Sequence, residues 1–172
     1  MGKKIHKRKY NEIIATGLVA IILLTLSSKS FGQEPPPRPI RITVTAQQLT
    51  FGAFTHGAAG GTVTVSPAGM RFSTGDVVLL DLGYPYYPTV YEIMAIPGTV
   101  VSILNGPDAI LTGSNGGSIT LTIGSSDPPS PFVISPPFPN LISIGGTITI
   151  GNSAANPPGA YSGTYDIIFV QE

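Results

Sequence analysis

The sequence predicts an all-β protein, an antiparallel sandwich of two sheets, and three observations carry that reading. No window longer than about ten residues sustains apolar spacing of three and four. Gly or Pro interrupts every candidate helix, the chain holding 21 Gly and 17 Pro in 172 residues. Alternating apolar and polar runs recur instead, separated by Gly-, Pro- and Asn-rich turn signals.

The N-terminus precedes that domain. Lys3, Lys4, Lys7, Arg8 and Lys9 lead into an apolar stretch, Leu18 to Leu26, and Ser30-Phe31-Gly32 places small residues at −3 and −1 of a cut before Gln33. Counted generously from Ile13 to Leu26 the stretch has 14 residues, whereas a spanning helix needs about 20. Residues 1–32 therefore read as a secretory signal, and the expected destination is the periplasm, the cell surface or the medium, with no membrane span after cleavage. No cysteine is present for a lipid anchor or a disulfide. A chain of the remaining size buries nearly 70% of its unfolded surface, so it can fold unstapled. Cleavage leaves three arginines, eight acidic residues and no lysine, a net charge of −5. That balance offers no electrostatic footprint for nucleic acid.

Residues 33–39 (QEPPPRP) form a proline-rich, extended spacer, and residues 40–172 are the β domain. Ile40, Ile42 and Val44 alternate with Arg41, Thr43 and Thr45 as a first strand. Thr62–Val65, Ile119–Ile123 and Ile148–Ile150 follow the same rule, and Tyr165, Ile167 and Phe169 alternate near the end. The continuous apolar runs Val77–Leu80 and Val100–Leu104 fit central strands. Turns are expected at Ala58–Gly61, Ser66–Gly69, Ile96–Gly98, Asn105–Asp108, Asn115–Gly117 and Asn156–Gly159. Ser125–Asn140 carries six prolines and reads as a long crossover or an edge strand bearing Phe132-Val133-Ile134.

Gly60-Gly61, Gly116-Gly117 and Gly145-Gly146 each precede an alternating strand, at intervals of 56 and 29 residues. This is no solenoid period, and the pairs read as a recurrent way of entering a strand. For the same reason the Thr-x-Thr pairs that follow are not expected to line up as the flat array of an ice-binding surface.

Leu49-Thr50-Phe51-Gly52-Ala53-Phe54, Gly61–Gly69, Ser73-Thr74-Gly75 with Val77–Leu80, and the closing Pro158-Gly159-Ala160-Tyr161-Ser162-Gly163-Thr164-Tyr165 together resemble a secreted bacterial family. This is the domain of unknown function numbered four-four-zero-two, similar in turn to spore coat U and pilin-like domains. The resemblance covers roughly residues 40–172 and implies an immunoglobulin-like, pilin-like sandwich with a structural or adhesive role in a surface assembly. Pilin-like subunits lack a strand and accept one from a neighbour. On that comparison Ile40, Ile42 and Val44 are candidate donor residues, and Tyr165, Ile167 and Phe169 are candidate acceptors. The first three also lie where the family places its own first strand. Gly159 stands fourteenth from the end as in pilins, whereas Gln171 replaces the penultimate aromatic.

The residues do not suggest an enzyme. After cleavage the chain has one histidine, His56, in a Gly/Ala-rich turn, and no G-x-S-x-G elbow accompanies it. Metal ligation by one histidine falls short of the about four ligands of a structural zinc. Asp76, Asp108 and Asp127 sit beside Gly or Pro as turn residues. No catalytic residue, cofactor or metal is therefore assigned. The best binding candidate is Tyr84, Tyr86, Tyr87 and Tyr91, four tyrosines within eight residues, with Pro85 and Pro88 holding the segment extended. Flat apolar rings with a hydroxyl suit a sugar or a protein surface. The plainer alternative is that they cover a sheet edge or enter the core.

Overall fold

The computed structural model describes residues 39–172, so the expected signal segment and most of the spacer lie outside the described residues. Strands and turns alone make up the described chain, and no helix in it is long and apolar enough to cross a membrane. One large sheet runs β1 (Arg41–Val44), β6 (Thr89–Met94), β11 (Asn140–Ile150), β9 (Ser118–Asp127), β8 (Ala109–Gly113) and β12 (Tyr161–Ser162). On β11 the flank shared with β6 is continued by β3 (Ala53–Val65), and β4 (Arg71–Leu80) lies outside β3. A second sheet runs β10 (Phe132–Val133), β7 (Val100–Asn105) and β13 (Ile167–Gln171), and β2 (Thr50–Phe51) pairs with β5 (Tyr86–Tyr87). All these pairings are antiparallel.

The two larger sheets share one core. Ile142, Ile144, Ile148 and Ile150 of β11 point inward with Val63, Ile93, Ile119 and Leu121, and meet Val101 and Phe132 of the smaller sheet. Tyr91 of β6 meets Phe169 of β13 edge to face, ring centroids 5.1 Å apart. Each buried aliphatic side chain contributes about 1.5–3 kcal/mol. The fold is an antiparallel β-sandwich, as the alternation predicts.

The first strand pairs within its own chain: Arg41–Val44 lie against Tyr91–Met94 at the end of the large sheet. Several expectations are corrected. Val77–Leu80 belong to an edge strand, and Val78 is 59% exposed. A single apolar run cannot distinguish a central strand from an edge strand with one open face. Ala58–Gly61 are not a turn between strands but a bulge inside the long β3, where the pairing shifts between His56 and Gly61. Gly60 and Gly75 have φ near +69°, and a side-chain carbon on Gly75 would stand 2.6 Å from the Gly60 carbonyl. Gly145-Gly146 likewise lie inside a strand, β11, opposite a bulge on β9 where Gly124 and Ser125 face Gly145 alone. Only Gly116-Gly117, both at positive φ, turn the chain into a new strand. The expected closing strand is split: Tyr161–Ser162 join β8 in the large sheet, and Ile167–Gln171 join β7 in the small one. The proline-rich crossover holds β10 at the edge of the small sheet, and four of its X-Pro bonds are cis.

The threonines do line up. Thr120, Thr149, Thr62 and Thr74 stand opposite one another across β9, β11, β3 and β4. One step along the strands, Thr122, Thr147 and Thr64 form a second row that ends on Phe72. The irregular intervals along the chain hid this, because which strands pair, and in what register, is not set by spacing along the chain.

Two substitutions test this account by urea denaturation. Ile144→Ala removes a fully buried side chain and is expected to cost about 2–5 kcal/mol. Gly75→Ala is expected to cost about 1–3 kcal/mol, because it combines positive φ with contact against a backbone carbonyl.

Candidate functional site

One concavity is an apolar groove of about 730 Å³. Leu111, Ile119, Leu121 and Ile148, inward residues of the large sheet, contribute to its lining. Leu49–Phe54 and Pro157–Gly163 complete most of the remainder, with Leu82, Tyr84 and Tyr165 at its margins. The segment before β3 and the segment after β11 form its walls. Among the described residues, β13 is paired only with β7, so its other edge carries no strand.

The walls are held by polar contacts. Asn156, 2% exposed, donates through Nδ2 to the Ser118 carbonyl at 2.5 Å, and its Oδ1 accepts from the Gly151 amide at 2.6 Å. The Tyr161 hydroxyl donates to the Pro157 carbonyl at 2.7 Å, and its ring covers Gly113, where a side-chain carbon would approach within 2.7 Å. His56 does not sit in an exposed turn. It pairs with Val77 inside β3, half-buried, with Nε2 3.0 Å from the Asn156 carbonyl oxygen, so its ring ties one wall to the other. Packing of the preceding residues explains the change: Phe54 packs on the core, and the strand continues through His56.

The four tyrosines do not share a surface. Tyr84, 67% exposed, lies at the groove. Tyr86 and Tyr87 line a separate, shallower depression of about 770 Å³ with Pro67, Pro85, Leu141 and Ser143. Arg71 stands 4.3 Å over the Tyr86 ring and occupies one of its faces. Its guanidinium donates to the carbonyls of Phe51 (3.1 Å), Ala53 (3.3 Å) and Leu80 (3.2 Å), which stitches β2, β3 and β4 together. Tyr87 is 51% exposed and is the freest ring of this pair. Tyr91 turns inward onto Phe169. Pro85 and Pro88 separate the rings because each removes a backbone donor and breaks the alternation between them.

The strand-exchange candidates divide likewise. Ile40 packs half-buried against the core, but Ile42 and Val44 are 38% and 57% exposed on β1. Ile167 and Phe169 face inward from β13, and Tyr165 reaches the groove. Sequence reasoning missed Arg71 and Asn156. The only signal was their chemistry: a lone arginine at the start of a strand, and an Asn read as an ordinary turn residue.

Burial, then the neighbouring Tyr165, raises Tyr91 above the ordinary tyrosine value of 10.0, against a smaller lowering by the Thr89 hydroxyl. The neutral phenol is thus favoured in the folded state. Its contribution to stability is fully present below pH 10 and is lost as pH rises through the folded value. Tyr91→Phe keeps the ring on Phe169, so its stability is expected to fall less steeply than wild type above pH 10 in denaturant titrations.

No curated protein and no solved structure matches the sequence. A family model, the domain of unknown function DUF4402, matches residues 42–170, from the first strand to the penultimate residue of β13. The match spans both sheets and every element that borders the groove, and the chain belongs to the DUF4402 family.

Proposed function

We propose that this is an exported, non-enzymatic structural protein, a pilin-like subunit of a cell-surface or extracellular assembly with an immunoglobulin-like sandwich. Two observations support the reading: the edge of β13 that pairs with no strand among the described residues, and an apolar groove whose lining includes Tyr165, two residues before that strand. An added strand gains backbone hydrogen bonds from such an edge and register from alternate side-chain pockets. The donor on this reading is the segment around Ile40, Ile42 and Val44 of a neighbouring copy. In its own chain it forms a four-residue edge strand whose Ile42 and Val44 stay substantially exposed, so exchange into a groove would bury surface that the closed chain leaves in water. The N-terminal signal pattern supports export.

A second reading is favoured by Tyr84 and Tyr87, whose rings are open to solvent: a monomeric module binding carbohydrate or protein through the Tyr84–Tyr91 segment.

Light scattering on the purified secreted chain tests the first reading. Concentration-dependent oligomers are expected, and Ile42→Asp with Val44→Asp is expected to abolish them while circular dichroism is unchanged. A wild-type chain that stays monomeric at all concentrations would sink it. Retention on immobilised glycans, lost in Tyr84→Ala with Tyr87→Ala, would then support the second.

A further inference from the structure

The aligned threonines form a surface that the groove does not explain. Seven of them occupy two rows across β9, β11, β3 and β4 on the face of the large sheet turned away from the core. Strand spacing sets one repeat of this net at about 4.8 Å, and two residues along a strand set the other at about 6.7 Å. Threonine is stiff at χ1, and two cross-strand contacts fix the hydroxyls further: Thr62 with Thr74 at 2.7 Å and Thr64 with Thr147 at 2.9 Å. The positions that extend the rows are Ile110 and Phe72, so no charged side chain interrupts them.

We propose that this face binds the surface of crystalline ice. Ice presents a two-dimensional lattice of oxygens, and the net of hydroxyls has similar repeats to its prism face. The interleaved methyl groups exclude liquid-like water, and the absence of charge avoids strongly held hydration shells that would not fit a crystal. Other occupants fit less well. A second protein would ask for a larger apolar core with aromatic anchors, and a polysaccharide would ask for more stacking rings than Phe72 alone. Twist of roughly 20° between adjacent strands confines flat matching to β11 and its two neighbours. The expected activity is therefore inhibition of ice recrystallisation rather than a wide gap between melting and freezing.

The test is a recrystallisation assay on the purified protein, with Thr122→Lys and Thr149→Lys as variants. Both positions are exposed, and thermal melts are expected to match wild type. Thr43→Lys on the distant β1 serves as control. Wild type and the control should keep ice crystals small, and each grid variant should need roughly tenfold more protein for the same effect, as expected for a charge forced against the lattice. No inhibition by wild type would overturn the proposal. So would inhibition that survives both grid variants, or threonine-dependent retention on microcrystalline cellulose without any effect on ice.

Discussion

The fold depends on a double duty imposed on β11. Its Asn140–Ile144 half pairs with β6 and its Gly146–Ile150 half with β3, on the same flank, while β9 runs along the other. Two strands can follow one another along a single flank only if they meet end to end, and Gly145-Gly146 marks that junction. A side chain at Gly145 would run into the Val65 carbonyl, and one at Gly146 would stand 2.9 Å from Leu49. Ile142, Ile144, Ile148 and Ile150 lie an even number of residues apart, so unbroken alternation along β11 turns all four inward. The adjustment falls on β9, where Gly124 and Ser125 stand opposite Gly145 alone.

The alternation of Ile119 to Ile123 and Ile148 to Ile150 made those strands and their inward faces legible, and that of Ile40 to Val44 its strand alone, because period two follows from the pleat itself. Partners were not legible. Nothing local in Thr62-Val63-Thr64 says that its neighbours are β4 and β11, so the threonine rows could not be seen from spacing along the chain. Glycine pairs carried a second ambiguity. The same dipeptide serves a tight turn at Gly116-Gly117, a bulge at Gly60-Gly61 and a paired strand interior at Gly145-Gly146, and only the opposing strand decides which. The groove was the least legible feature. Its lining comes from segments far apart in the chain, Gln48–Phe54, Leu111–Leu121 and Pro157–Tyr165, so no local pattern announces it.

The two faces of the large sheet thus obey different rules. Inside, isoleucine and valine satisfy packing, and the uncovered part becomes an apolar groove. Outside, hydroxyl side chains hold one another in rows. The tyrosine segment belongs to neither, since β5, the β6 lead-in and Arg71 distribute its rings over three environments. Strand exchange and a surface activity of the threonine rows are therefore compatible in one subunit. They draw on opposite sides of the same strands.

The setting of Arg71 also bears on durability. Among the described residues the only basic side chains that trypsin-like proteases recognise are Arg41 and Arg71. Arg71 lies in a hydrogen-bonded strand, with its guanidinium spent on three carbonyls and covered by Tyr86. Such a protease needs both an extended, unpaired backbone and a free side chain for its specificity pocket, and Arg71 offers neither. Cleavage there must wait for β4 to open, whereas Arg41 is exposed on a four-residue edge strand, so the bond after it needs only the short β1–β6 pairing to open. Trimming at that point would remove no core residue other than the half-buried Ile40, so digestion by this class of enzyme would shorten the chain's leading end and leave the body of the sandwich whole.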